Sequence, residues 1–222
     1  MAASGARGRP VVSLAHVVRE PAGAPEGALI LLHGRGADEH DLRPVLDVLD
    51  PDRRLVGLTP GAPLSLPPGG RHWYMVERVG FPHRDTFAPT LSELGAFLDG
   101  WLAEREIAWD RAVLGGFSQG AVMSYAVGLG TGRPSPAGIL AMSGFVPVVE
   151  GWKPDLASRR ELPVSISHGS MDPVIGVDFG RQARDLLTEG GLAVQYHESS
   201  AGHSLDPSTL PALQAWVAAR AR

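Results

Sequence analysis

The sequence predicts an α/β fold: a mostly parallel sheet with helices on both faces and no large cap domain. Three observations predict it. Short apolar runs alternate along the chain with segments whose apolar residues recur at helical spacing. The run at 28–32 (Ala-Leu-Ile-Leu-Leu) is apolar throughout, as a strand covered on both faces requires. Gly116-Phe117-Ser118-Gln119-Gly120 stands between an apolar run at 112–114 and a small-residue apolar segment at 121–129. That arrangement reads as strand, tight turn and buried helix.

The other elements follow in order. Residues 1–10 read as a disordered tail and residues 11–222 as a single domain. Residues 11–19 alternate loosely, as an edge strand or a hairpin arm would, and 21–27 turn. After the strand at 28–32 comes His33-Gly34-Arg35-Gly36-Ala37-Asp38, then a helix over 39–49. Residues 54–58 give another strand. Four prolines and three glycines between Thr59 and Gly70 predict a loop with defined turns. The loop runs on through His72-Trp73-Tyr74-Met75 to Phe87, and so long an aperiodic stretch inside a domain usually serves function. Leu91, Leu94, Leu98, Trp101 and Leu102 predict a helix over 89–105. Strands follow at 138–142, 164–168 and 192–197. Helices follow at 177–187, with Gly190-Gly191 as a stop signal, and at 208–219. Residues 148–162 read as a surface excursion.

Size and composition bound the function. The 222 residues suit one domain with a substantial core. Hydrophobic residues make up 44% and charged residues 20%, an ordinary globular composition. A formal net charge of −4 without a basic run argues against nucleic acid as a partner. The absence of cysteine excludes disulfides, thiolate metal sites and cysteine nucleophiles. Arg7 and Arg9 precede no apolar segment, so no secretory signal is read, and no apolar stretch reaches membrane-spanning length. A cytoplasmic protein, monomer or homodimer, without an integral membrane segment, is the expectation.

The pentapeptide at 116–120 fits the G-x-S-x-G nucleophile elbow, which makes Ser118 the candidate nucleophile. Such a turn strains the serine backbone, and glycines at both ends let strand and helix approach. A serine hydroxyl needs a base within hydrogen-bond reach, oriented by a third group. In a parallel sheet these belong just beyond the carboxyl ends of strands. His203 follows the last strand on the loop Ala201-Gly202-His203-Ser204 and is the candidate base. His33 and His168 sit at strand ends directly before glycines, where holding loops by hydrogen bonds is the better reading. Asp172, in His168-Gly169-Ser170-Met171-Asp172-Pro173, is the candidate acid; its bland alternative is a turn or helix cap. The oxyanion of an acyl-transfer intermediate needs N–H donors. The backbone of Gln119 is one candidate, and that of Arg35 in the glycine-flanked loop is the other. Asp38 either braces this loop or caps the following helix.

These residues together resemble the phospholipase/carboxylesterase group of α/β-hydrolases, which includes the acyl-protein thioesterases. The resemblance runs from about residue 11 to the end. It rests on 31–38, the elbow at 116–120, Ser143-Gly144-Phe145, His168 to Val174 and Gly202-His203. It implies the α/β-hydrolase fold, a Ser118–Asp172–His203 triad and oxyanion N–H groups from Arg35 and Gln119. It also implies hydrolysis of carboxylic esters or thioesters with no cofactor and no metal. Gly176 departs from the pattern, which has proline there.

The expected partner is a small-molecule ester with a short to medium acyl chain, since no long apolar lid helix is visible. Leu66, Trp73, Tyr74, Phe145 and Val174 are the candidate substrate-binding residues, with Leu64 and Met75 beside them. For Trp73 and Tyr74, a place in the core is an equal alternative. Two other functions stand beside the esterase: a hydrolase-fold binding protein with a vestigial triad, and a peptidase or lysophospholipase/lipase-like enzyme. An intact set of triad residues counts against the first, and the absence of an inserted cap or lid counts against the second.

Overall fold

The computed structural model describes residues 13–221. The expected tail and the first two residues of the predicted 11–19 strand lie outside the described residues. The elements run β1 (His16–Arg19), β2 (Ala28–Leu32), α1 (Arg43–Leu49), β3 (Val56–Pro60), β4 (Leu64–Ser65), β5 (Arg71–His72), β6 (Val76–Arg78), β7 (Phe81–Pro82), α2 (Arg84–Glu104), β8 (Ala112–Phe117), α3 (Gln119–Gly128), β9 (Gly138–Met142), β10 (Pro163–Gly169), α4 (Val177–Glu189), β11 (Ala193–Ser199) and α5 (Leu210–Ala218).

Seven of the strands form one sheet in the order β1-β3-β2-β8-β9-β10-β11. β1 pairs antiparallel with β3 at the edge; every other pairing in this sheet is parallel. Alternation along each strand divides the core. In β2, Ile30 and Leu32 join Leu94, Leu98 and Trp101 of α2 and Val122 and Ala126 of α3. Leu29 and Leu31 face the other way and pack with Leu46 and Leu49 of α1 and Leu213, Trp216 and Val217 of α5. Both faces are thus covered, which is why the parallel strands read as unbroken apolar runs. Helix α3 is buried along its whole length. Small residues in its sequence let it sit close to β8 and β9.

Three elements differ from the sequence expectation. Helix α1 begins at Arg43 rather than 39, because Asp38 turns the chain first: its Oδ1 accepts the His40 N–H at 2.9 Å. The helix then starts with Pro44 in its first turn, where a missing N–H costs nothing. Helix α2 begins at Arg84, so Pro89 lies inside it rather than at its head. The fully buried Phe87 anchors the extra turn, and the His83 carbonyl accepts the N–H groups of Thr86 and Phe87. The stretch 59–82, expected as loop, contains two short hairpins, β4/β5 and β6/β7. Strands of two or three residues are too short to show alternation in sequence.

The β4/β5 hairpin props the loop after β2. Gly36 N–H donates to the Arg71 carbonyl, and Arg71 N–H donates to the Ala37 carbonyl, both at 2.8 Å. Gly70 has φ +85°, and a Cβ there would fall 2.1 Å from the Gly36 carbonyl oxygen. The turn therefore requires glycine both for its backbone angle and for its close approach.

Candidate active site

Ser118 joins β8 to α3 with φ 54° and ψ −119°. A residue with a Cβ rarely adopts this conformation, and holding it costs on the order of 1–3 kcal/mol. The surroundings enforce it. Ser118 N–H donates to the Met142 carbonyl of β9 at 2.9 Å, and its own carbonyl accepts the Val122 N–H at 3.2 Å. A Cβ on Gly120 would fall 1.9 Å from the Leu32 carbonyl oxygen, and one on Gly116 would fall 2.4 Å from the Gly120 carbonyl carbon. Both glycines are needed for close approach, so β8, the turn and α3 fit together only with this spacing.

Three side chains converge on this turn from three loops. His203 Nε2 lies 2.9 Å from Ser118 Oγ, and His203 Nδ1 lies 2.7 Å from Asp172 Oδ2. A carboxylate only accepts, so Nδ1 carries the proton and Nε2 presents its lone pair to the serine hydroxyl. Asp172 Oδ1 accepts the N–H groups of Val174 and Ile175, each at 2.8 Å. Burial works against its charge, but the bonds from His203, Ile175 and Val174 prevail and hold the carboxyl below its ordinary pKa. His168, at the end of β10, donates from Nε2 to the Ile175 carbonyl at 2.8 Å and braces the same turn. The Phe117 ring lies 4.9 Å from the His203 ring, centroid to centroid.

On the other side of Ser118 is the loop after β2. A Cβ on Gly34 would lie 3.4 Å from Ser118 Cβ, so this backbone packs directly on the elbow. Among the described residues, the backbone N–H groups of Arg35 and Gln119 have no hydrogen-bond partner. The Gln119 N–H is also the first of α3, where the helix dipole is positive. The exposed Arg35 side chain makes no contact that gives it a role.

The expected substrate-binding residues separate. Leu66 is half-buried beside Gly36, and Val174, 55% exposed, stands on the Asp172 turn. Phe145 is nearly buried and packs 5.5 Å from the Phe179 ring. Trp73 and Tyr74, at 0% and 2% exposure, pack in the core, one of the two places the sequence allows for them. Each has a structural task there. The Trp73 indole donates to the His33 carbonyl at 2.8 Å, and Tyr74 packs edge-on to Phe87. Sequence reasoning misses the Gln119 side chain, which bonds both Trp73 and Tyr74. A carboxamide that reaches a distant backbone leaves no periodic trace in sequence. Among the described residues, no group of three or more His, Cys, Asp and Glu could hold a metal ion.

The parallel sheet, the elbow between β8 and α3 and the loops beyond the strand ends define an α/β-hydrolase fold. The structure is similar to the carboxylesterase of Bacillus cereus with a TM-score of 0.81, covering 93% of this chain and 94% of that one at 23% identity, which speaks for the fold. The chain belongs to the phospholipase/carboxylesterase family, whose model matches residues 14–220. Among curated relatives, acyl-protein thioesterase 1 of Debaryomyces hansenii is 30% identical over 132 residues, 56% of this chain and 56% of that protein. The chain thus spans about half the length of that relative. Acyl-protein thioesterase 1 of Candida albicans is 28% identical over 194 residues, 79% of this chain and 84% of that protein. Among the described residues, no helix is long and apolar enough to cross a membrane.

Proposed function

We propose that this protein is a serine hydrolase that cleaves carboxylic esters, and thioesters by the same steps, through an acyl-enzyme. One observation carries the reading: the continuous relay from Ser118 Oγ through His203 to Asp172, at 2.9 and 2.7 Å. A complete relay counts against a binding protein with vestigial residues.

Ser118 Oγ attacks the carbonyl carbon as its proton passes to His203 Nε2. The imidazolium that forms is stabilised by the Asp172 carboxylate. Negative charge develops on the former carbonyl oxygen, which accepts from the N–H groups of Gln119 and Arg35. Collapse breaks the bond to the alkoxide or thiolate, which takes the proton from His203. A water then loses its proton to His203 and attacks the acyl-serine. The carboxylic acid leaves, and Ser118 recovers its proton. The acyl group is proposed to lie along the rim that carries Leu66 and Val174, with short to medium chains preferred.

A fluorophosphonate should label the protein once, on Ser118. A series of p-nitrophenyl esters and acyl thioesters of increasing length, with Ser118→Ala as control, reads the substrate class. Labelling or turnover that survives Ser118→Ala would overturn the proposal.

A further inference from the structure

The Gln119 carboxamide is 4% exposed and bonded at both ends. Its Oε1 accepts the Trp73 N–H at 3.0 Å, and its Nε2 donates to the Tyr74 carbonyl at 2.9 Å. It therefore ties the first turn of α3 to the strip of backbone at 73–74. From there the Trp73 indole N–H donates to the His33 carbonyl at 2.8 Å, and the two rings lie 5.2 Å apart. His33 continues the path in both directions. Its Nε2 accepts the Ala62 N–H at 2.9 Å, which fixes the other nitrogen, Nδ1, as the protonated one. Nδ1–H then donates to the Gly34 carbonyl at 2.7 Å.

The bond to Gly34 is the informative one. The Gly34 carbonyl and the Arg35 N–H belong to one planar, trans peptide group, so they point in opposite directions. Fixing the carbonyl fixes the direction of the N–H. A run of buried hydrogen bonds thus begins at the Gln119 side chain and ends by aiming the Arg35 N–H, while the Gln119 backbone supplies the other unpartnered N–H.

We infer that the Gln119 side chain is a positioning residue: through Trp73 and His33 it keeps the Arg35 N–H in register with the N–H of Gln119 itself. The inference rests on the reading of Ser118 as nucleophile. Gln119 thereby acts twice, directly through its backbone and at a distance through its carboxamide. A donor that drifts from its aim loses most in the transition state, where the charge is largest, and little in the ground state.

The test measures kcat and KM with p-nitrophenyl butyrate, the inhibition constant of a trifluoromethyl ketone, and Tm. The ketone forms a tetrahedral adduct with the serine and so reports on the oxyanion donors. Loss of one whole oxyanion donor costs about 10²–10³ in kcat; misaiming one in Gln119→Met should cost about 10- to 100-fold. KM should stay within about twofold, and ketone affinity should fall by the same factor as kcat. Trp73→Phe keeps a ring but removes the indole donor, and should move both in the same sense. The double variant should be no worse than the poorer single one, because both break one path. Ser124→Ala is the control for mere destabilisation. Ser124 Oγ donates to the Gly120 carbonyl at 2.9 Å inside the same helix, so its loss should lower Tm and leave kcat and ketone affinity alone. The inference fails if Gln119→Met and Trp73→Phe behave like Ser124→Ala, or if they raise KM only. If Gln119→Met does not fold, Trp73→Phe decides alone. Turnover that survives Ser118→Ala would instead sink the underlying reading of the nucleophile, a separate outcome.

Discussion

Asp172 and His203 stand 31 residues apart in sequence and meet at 2.7 Å, Oδ2 to Nδ1. Gly169 makes the meeting possible. A Cβ there would lie 2.3 Å from the Ala201 carbonyl oxygen and 2.4 Å from that of Gly202. The loop that carries His203 is therefore pressed against the end of β10, the strand from which the Asp172 turn departs. The Met171 N–H fastens the two loops by donating to the Ala201 carbonyl at 3.1 Å.

Asp172→Asn separates orientation from folding. Asparagine Oδ1 can still accept the N–H groups of Val174 and Ile175, so the turn should persist. Its amide would present a donor where His203 Nδ1–H now finds an acceptor, driving the imidazole to the wrong tautomer. By analogy with serine proteases, kcat should fall about 10⁴-fold. Stopped-flow or long-time assays on p-nitrophenyl butyrate, with circular dichroism to check the fold, would measure this. Activity within tenfold of wild type would mean another acid orients His203.

The elbow predicts a contrast between two glycines. Gly120→Ala sets a Cβ 1.9 Å from a backbone oxygen in a wholly buried helix, and should destabilise by about 3 kcal/mol or more. Gly100→Ala adds the same methyl in open space within α2, and should stabilise by about 0.5–1 kcal/mol. Urea titrations of both variants measure the difference. Equal stabilities would contradict the packing described for α3.

Most of the main sheet was legible in the sequence, because burial on both faces leaves unbroken apolar runs such as 28–32. The order Ser118, Asp172, His203 was legible because each residue follows a strand end. What was hidden was the traffic between side chains and distant backbone. Trp73 read equally as pocket or core, since a single tryptophan has no period. The hairpins between 64 and 82 were hidden because ladders of two or three residues depend on turn geometry rather than on alternating side chains.

His33 should take up its second ring proton at a lower pH than an unfolded histidine does. Burial lowers its pKa, against the opposing influence of the Gly34 carbonyl and the nearby carboxylates of Asp41, Asp38 and Glu39. Below about pH 6.5 an unfolded histidine takes up a proton that the folded one refuses. His33 therefore contributes fully to stability above that pH, and the contribution declines as pH falls from there towards the lowered folded value. A pH series of ¹⁵N–¹H correlation spectra should show the neutral Nδ1–H form persisting to lower pH than in the unfolded chain. A ring that takes up its second proton at or above the pH at which the unfolded histidine does would break the bond from Ala62 N–H too readily and refute the assignment.

Gly176 offers a stabilising change. It caps α4 with φ −52° and ψ 143°, and a Cβ there would meet nothing within 4 Å. Proline fixes φ close to this value, so Gly176→Pro should narrow the unfolded ensemble and stabilise the protein by about 0.4–1 kcal/mol. Scanning calorimetry would show a rise in Tm. A fall would show that the Asp172 turn and α4 need the freedom of glycine at this joint.

Ser118 occupies the N-cap position of α3 yet makes no capping bond with its side chain. A hydroxyl or carboxylate at this position often closes the first turn of a helix, but none of α1 to α5 has such a side-chain cap. At α3 the Gln119 N–H has no partner among the described residues. An oxyanion that accepts the Gln119 N–H would do for α3 what a serine cap does elsewhere, so ligand and secondary structure complete one another. A transition-state analogue that accepts this N–H would therefore act as a fold-stabilising agent as well as an inhibitor.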